Sequence, residues 1–165
     1  MEQVHALLIF QLLMLIAVAN GTPVAAKLVL GGAYDAPIDC DLRLADGYPL
    51  FGRSKTVRGV ALSVMATALS AALFGFGWKL GAVVGLTAMA GDLLSSFIKR
   101  RCGWSSSSRA TGLDHIPESL LPLLAAKLLL PLSFVDVLLA TLLFFVGGIV
   151  LSRLLFRLNL RDEPY

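Results

Sequence analysis

The stretch Leu80–Arg101, which reads LGAVVGLTAMAGDLLSSFIKRR, decides the fold of this chain. Its first part, Leu80–Ile98, is apolar and close to the roughly 20 residues that a membrane-spanning helix needs. It ends on the basic triplet Lys99–Arg101, which is typical of a span that stops at the cytoplasmic face. Asp92 interrupts the apolar run. Because an ionised carboxylate facing lipid is costly, we expect Asp92 to face protein, water or a cation.

Small and polar residues share one face of this predicted helix. At about 3.6 residues per turn, that face carries Gly81, Gly85, Ala88, Asp92, Ser95, Ser96 and Lys99. Small residues let helices approach closely, so the face predicts a helix contact that opens onto a site at the inner membrane surface. The plainer interpretation is a packing face alone, in which a neighbouring helix satisfies Asp92.

The rest of the chain is equally apolar. Hydrophobic residues make up 57% and charged residues 15%, against roughly 45–50% and 25% in soluble domains, and the mean hydropathy is +0.80. The 165 residues suffice for about five spans. We therefore predict an all-α, polytopic transmembrane helical bundle that forms a single integral membrane domain, residues 1–165, with spans near Ala6–Leu30, Gly59–Phe76, Leu80–Ile98, Ile116–Pro131 and Phe134–Leu151.

The first of these spans is predicted to be broken, because Asn20–Pro23 reads Asn-Gly-Thr-Pro and Lys27 follows. The alternative is a cleaved leader that ends near Ala19. The segment before Ala19 carries Glu2 and no Lys or Arg, contrary to the positive start of a leader. This pattern favours a retained span.

The basic residues predict the orientation. With the N-terminus outside and the C-terminus cytoplasmic, 11 of the 14 Lys and Arg residues fall on the inner side, as the positive-inside rule requires. The net charge of +3 is thereby explained by topology, and no nucleic-acid partner is expected. We predict a multi-pass protein of the inner (plasma) membrane whose site lies at the cytoplasmic face.

The chain has only two cysteines and two histidines, which excludes a zinc cluster and a multi-histidine centre. Any metal must therefore be held by oxygen. Asp92 and Asp114 flank Lys99–Arg101 and Arg109, and two acids with several bases suit Mg²⁺ that holds phosphates. We predict a cytoplasmic metal and phosphate loop over residues 99–116. Taken alone, the basic triplet would be read as a membrane anchor.

A second polar segment, residues 31–58, is long enough to be a functional loop. Its last residues lead into the next span as Phe51–Gly59, where three bases and two hydroxyl groups suit an anion. No Walker A pattern occurs there. A juxtamembrane basic patch that touches anionic lipid is an equal interpretation of this segment.

Taken together, these motifs resemble the CDP-archaeol synthases, relatives of the CDP-diacylglycerol synthases. The signature region is matched by Gly91-Asp92, Ser96 to Arg101, Gly103 and Gly112-Leu113-Asp114, and the upstream blocks by Asn20 to Val24, Pro37-Ile38-Asp39, Gly52 and Lys55 to Gly59. The resemblance covers roughly residues 19–122, and the last helix adds nothing diagnostic.

The resemblance implies an enzyme that joins CTP to a phosphatidate-like or archaetidate-like lipid and releases pyrophosphate, with Mg²⁺ as cofactor. It assigns Asp92 and Asp114 to the metal, Lys99 and Arg100 to the phosphates, and Lys55, Thr56 and Arg58 to a cytoplasmic nucleotide side in residues 31–58. The substrate-binding set is completed by Asn20 and Ser96. Asp92, Lys99 and Asp114 are the predicted catalytic residues, and Arg101 keeps only the anchor role.

Departures from the archaeol branch are few. His115 stands where a glutamine is common, Arg53-Ser54 where Asp-Gly is common, and Val57 where tryptophan is common. The reaction class is unchanged by these differences, whereas the lipid tails stay open. For His115, titration beside a lipid phosphate and helix packing both stay open, with packing favoured.

The competing interpretation is a non-catalytic membrane protein, either a lipid- or nucleotide-binding module or a small transporter that uses Asp92 as an ion site. The chain has no inverted repeat, and its acids sit towards the inner face and not at the bilayer midplane, which argues against transport. The sequence leaves a homo-oligomer open.

Overall fold

The structure is a computed structural model that describes residues 4–105 and 111–157, with the side chains of 111 and 154–157 left out. Within these ranges the fold is all-α, as predicted. The helices are α1 (Ala6–Leu30), α2 (Val57–Leu73), α3 (Trp78–Arg101), α4 (Thr111–Lys127) and α5 (Phe134–Arg157). Arg109 and Arg161, which supported the predicted orientation, lie outside the described residues.

Three of the described helices, α1, α3 and α5, are each long and apolar enough to cross a membrane, and α2 is a shorter apolar helix. The chain is therefore a multi-pass membrane bundle. Its N-outside orientation stays a prediction, since helix length and composition do not distinguish the two membrane faces.

The central helix is α3, which packs against α1, α2 and α4, while α5 packs on α4 and α1. Its small residues allow the contact with α2: a Cβ added to Gly81 would lie 2.4 Å from the carbonyl oxygen of Thr67. The predicted packing face is thus confirmed. The apolar core lies between the helices and includes Leu12, Leu15, Ile16, Val84, Leu123 and Ala140.

The first span is not broken, contrary to the sequence prediction, because α1 continues through Pro23. A proline inside a helix has no N–H to donate to the carbonyl four residues earlier, here that of Ala19. The hydroxyl group of Ser63 on α2 donates to this carbonyl at 2.7 Å. This donor satisfies the carbonyl that the proline leaves unpaired, which is one way in which membrane helices tolerate proline.

Replacing Ser63 with Ala should therefore leave the buried Ala19 carbonyl without a donor and lower the stability by about 1–3 kcal/mol. We expect a lower Tm in detergent, whereas Ser70→Ala, on the same helix, should change it little. Pro23→Ala restores the backbone donor, so it should rescue Ser63→Ala. A double mutant no more stable than Ser63→Ala would contradict this account.

Candidate active site

A cavity of about 680 Å³ lies where the loop of residues 31–56 and all five helices meet. All nine residues predicted from the sequence to form the site line it: Asn20, Lys55, Thr56, Arg58, Asp92, Ser96, Lys99, Arg100 and Asp114. The fold thus brings together residues up to 94 positions apart in the chain. Their roles in binding and catalysis stay predictions.

Asp92 is paired with Lys55 across the cavity. The ammonium group of Lys55 donates to both carboxylate oxygens of Asp92, at 2.5 and 2.6 Å, and both side chains are about four-fifths buried. Lys55 ends the loop just before Thr56, the N-cap of α2, whose side-chain oxygen accepts from the backbone N–H of Gly59 at 3.1 Å. The cap fixes the direction in which α2 begins and so holds the backbone beside Lys55.

A second ion pair joins α3 and α4. The ammonium group of Lys99 lies 2.7 Å from a carboxylate oxygen of Asp114. Residues 99–116 were predicted to form a loop, but α3 extends to Arg101 and α4 begins at Thr111. Asp114 therefore lies in the first turn of α4, where a carboxylate is favoured by the helix dipole.

Glu118 is the acid that the sequence analysis missed. It lies one turn after Asp114 on α4, lines the cavity, and is hydrogen-bonded through its side chain to Asp92. The signal was present in the sequence, as an acid within an apolar run, but the run was read as an irregular span.

Gly91 explains how Glu118 reaches Asp92. A Cβ at position 91 would lie 2.3 Å from the carbonyl oxygen of Pro117 and 2.8 Å from the backbone nitrogen of Glu118. Only glycine therefore lets α4 pass so close to α3 at this level. In the Gly91-Asp92 pair, the glycine is therefore required for helix packing and the aspartate supplies the acidic group.

Arg100 and Ser96 are buried at the cavity wall, with 2% of each residue exposed. The Nε atom of Arg100 and the Nδ2 atom of Asn20 are buried and have no hydrogen-bond partner among the described residues. Buried donors are nearly always satisfied, so these two atoms indicate that a polar ligand belongs in the cavity.

The loop that carries Lys55 is built around Asp39, a buried carboxylate. Burial raises the pKa of Asp39, but hydrogen bonds from the backbone N–H groups of Gly52, Phe51 and Asp41 outweigh this effect and hold the pKa below its ordinary value. The contribution of Asp39 to loop stability is therefore complete at neutral pH and is lost only as the pH falls through this lowered pKa.

Arg58 ties the start of the same loop to α2. Its guanidinium group donates to the carbonyl oxygens of Gly31, at 3.2 Å, and Ala33, and lies 3.4 Å from a carboxylate oxygen of Asp35. It lines the cavity as predicted, and in addition it holds the end of α1 against the beginning of α2.

His115 packs against α5. Its ring makes edge contacts with Phe144 and Phe145, with ring centroids 6.1 Å apart in each case, and a Cβ on Gly148 would lie 2.6 Å from its Nε2 atom. These contacts support the interpretation of His115 as a packing residue. Apolar side chains of α1, α3 and α5 also line the cavity and form its apolar wall: Val24, Met89, Leu93 and Ile149.

Comparison with known proteins identifies the family. The family model described as CarS-like CDP-archaeol synthase matches residues 77–165. The chain belongs to the CDP-archaeol synthase family. The match includes α3 and α4, which carry Asp92, Lys99, Arg100, Asp114 and Glu118.

Curated members of the family extend the match upstream. The chain is 31% identical over 156 residues to the CDP-archaeol synthase of Sulfurisphaera tokodaii, covering 90% of this chain and 89% of the relative. It is 38% identical over 104 residues to that of Hyperthermus butylicus, covering 59% of each. A solved structure of an intramembrane enzyme for archaeal membrane lipid biosynthesis superposes with a TM-score of 0.68 and 28% identity, over 86% of this chain and 90% of that one.

Gly91→Ala tests the close approach of α4 to α3. The added methyl group forces the two helices apart, so we expect a loss of about 1–3 kcal/mol in stability and a lower Tm in detergent. Gly147→Ala is the matched control, since its Cβ would meet nothing within 4 Å. Equal Tm values for the two variants would show that the Gly91 contact is not needed.

Proposed function

We propose that this chain transfers CMP from CTP to a lipid phosphate, giving a CDP-lipid and pyrophosphate, in the cavity at the ends of α1, α3 and α4. The observation that carries the proposal is the Lys55–Asp92 and Lys99–Asp114 pairs, which face one cavity with an apolar wall, in a chain of the CDP-archaeol synthase family. One site thus offers groups for a nucleotide and for a lipid.

The charge of the cavity suits phosphates. Six Lys and Arg residues line it against four Asp and Glu residues, the bases being Lys27, Arg53, Lys55, Arg58, Lys99 and Arg100 and the acids Asp35, Asp92, Asp114 and Glu118. Phosphate groups are strongly attracted to Lys and Arg donors, Arg in a bidentate manner. Lys27, Asp35, Arg53 and Glu118 extend the predicted set.

The acids suit Mg²⁺. Among the described residues no three or more His, Cys, Asp or Glu side chains cluster closely enough to hold a metal by themselves. Mg²⁺ needs fewer, because it takes one or two carboxylates and completes its shell with phosphate oxygens and water. Asp92 and Asp114 would hold it, and when bound it neutralises the charge of the triphosphate.

The reaction requires no nucleophile from the protein. An oxygen of the lipid phosphate attacks the α-phosphorus of CTP, the new P–O bond forms, and the bond from that phosphorus to the oxygen shared with the β-phosphate breaks. The electron pair leaves with pyrophosphate. Since a phosphate monoester is largely deprotonated at neutral pH, the side chains need only bind, orient and neutralise the reactants, which is the main source of catalysis in such reactions.

The apolar wall sets where the lipid would enter. Val24 on α1 and Ile149 on α5 border the cavity, and α5 is largely exposed on its outer face, as a lipid-facing helix should be. We infer that the tails lie along this wall while the phosphate points towards Lys99 and Arg100.

Asp92→Asn tests the proposal. In detergent-lipid micelles the wild-type protein should convert labelled CTP into a lipid-extractable product with a lipid phosphate and Mg²⁺, and chelation of Mg²⁺ should stop turnover. Asp92→Asn should lower kcat/KM on the order of 100-fold, whereas Ser70→Ala on α2, outside the cavity lining, should be near wild type.

Full activity of Asp92→Asn would contradict the metal assignment. Tight CTP binding without turnover on either ether- or ester-linked lipid phosphates would favour a binding module over an enzyme. A panel of both linkages, each tried with CTP and the other nucleoside triphosphates, identifies the substrate pair.

A further inference from the structure

Arg101, the last residue of α3, contacts the loop and does not line the cavity. Its guanidinium group donates to the carboxylate of Asp46 and to the carbonyl oxygens of Pro49, at 2.6 Å, and Tyr48, at 3.4 Å. The same group lies over the ring of Phe97, 5.3 Å from its centroid. One side chain thus joins the end of a central helix to one turn of the loop.

The end of α3 is shaped to receive this turn. Backbone N–H groups of Gly103 and Trp104 donate to the carbonyl oxygens of Arg100 and Lys99, each at 3.0 Å, with Gly103 at φ +74°. This is a Schellman motif, which stops the helix and requires the left-handed conformation that glycine adopts readily. The hydroxyl oxygen of Tyr48 lies 3.1 Å from where a Cβ on residue 103 would be, so the loop packs directly on the helix end.

A series of hydrogen bonds, between backbone groups and to the carboxylate of Asp39, leads from this contact to Lys55. Two hydrogen bonds close the turn itself. The Leu44 N–H donates to the carbonyl oxygen of Tyr48 at 3.0 Å, and the Leu50 N–H donates to the carbonyl oxygen of Leu42 at 2.9 Å. The next residues, Phe51 and Gly52, donate to the carboxylate of Asp39, both at 2.9 Å. The Ile38 N–H then donates to the carbonyl oxygen of Lys55 at 2.8 Å.

We propose that Arg101 is a positioning residue that acts through the loop: by fixing the turn of residues 43–50 on the end of α3, it places Lys55 opposite Asp92 in the nucleotide side of the cavity. The inference rests on the proposed function for its effect on CTP. It assigns different tasks to three adjacent bases, since Lys99 and Arg100 line the cavity whereas Arg101 turns away from it to the loop.

The membrane-anchor role that the sequence predicts for Arg101 has a different consequence for substitution by Lys. An anchor needs only a positive charge at the interface, so Lys should replace Arg101 fully. The loop contact needs a planar group that reaches a carboxylate and two carbonyl oxygens together, a geometry that the single ammonium group of Lys does not reproduce.

The test compares Arg101→Ala and Arg101→Lys with wild type and with Arg153→Ala, a matched control at an exposed base of α5. Three quantities are measured on the full chain in lipid micelles: hydrogen exchange of residues 38–55, the KM for CTP, and the KM for the lipid phosphate. We expect faster exchange of the loop and a rise of about tenfold in the KM for CTP in Arg101→Ala, with the KM for lipid and exchange of the α3 core near wild type.

Arg101→Lys should fall between wild type and Arg101→Ala, and Asp46→Asn, which weakens one of the three contacts, should show a smaller change of the same kind. Wild-type behaviour of Arg101→Lys would overturn the proposal in favour of the anchor. So would a higher KM for CTP without faster loop exchange, since that is the pattern of direct contact. Absence of CTP turnover in wild type would refute the proposed function, while loop exchange would still decide the contact.

Discussion

A carboxylate inside an apolar helix must be compensated, and the architecture around Asp92 follows from this constraint. Asp92 lies on α3, a helix long and apolar enough to span the membrane, where an isolated negative charge is strongly unfavourable. Lys55 supplies the opposite charge and Glu118 a hydrogen-bonding carboxyl group. Both come from other parts of the chain, so the loop and α4 have to be brought to α3.

A specific local feature lets each of these segments lie close to α3. Gly91 removes the side chain that would keep α4 away. The hydrogen bonds accepted by Asp39 shape the loop, and Thr56 caps α2 directly after Lys55. Ser63 on α2 donates to the Ala19 carbonyl that Pro23 leaves unpaired, so that α1 stays continuous beside Asn20. These local features stabilise the backbone, so that the polar side chains of the cavity can face one another.

Much of this was predictable from the sequence. Hydropathy predicted the helical membrane bundle, the position of Asp92 predicted a site, and the resemblance to CDP-archaeol synthases supplied nine residues that line one cavity. These features depend on local composition and on motifs of fixed spacing. They can therefore be recognised in the sequence without knowing how distant segments meet.

The predictions that failed concern contacts between segments that are far apart in the chain. The predicted break in α1 was wrong because the donor that compensates Pro23 comes from Ser63, 40 residues later. Residues 99–116 were read as a loop because Pro117 and the polar residues before it hid the start of α4. Glu118 was missed and Arg101 was reduced to an anchor, since their partners Asp92 and Asp46 lie far away in the chain.

The chemistry proposed for the cavity depends most on Asp92 lying at the centre of a nucleotide and cation site. Crystals of the protein grown with CTP and Mn²⁺, a substitute for Mg²⁺ with a measurable anomalous signal, test this directly. We predict an anomalous peak at the carboxylate of Asp92, with the triphosphate beside Lys55 and Lys99. Nucleotide and metal bound elsewhere, with the Lys55–Asp92 pair intact, would contradict the account.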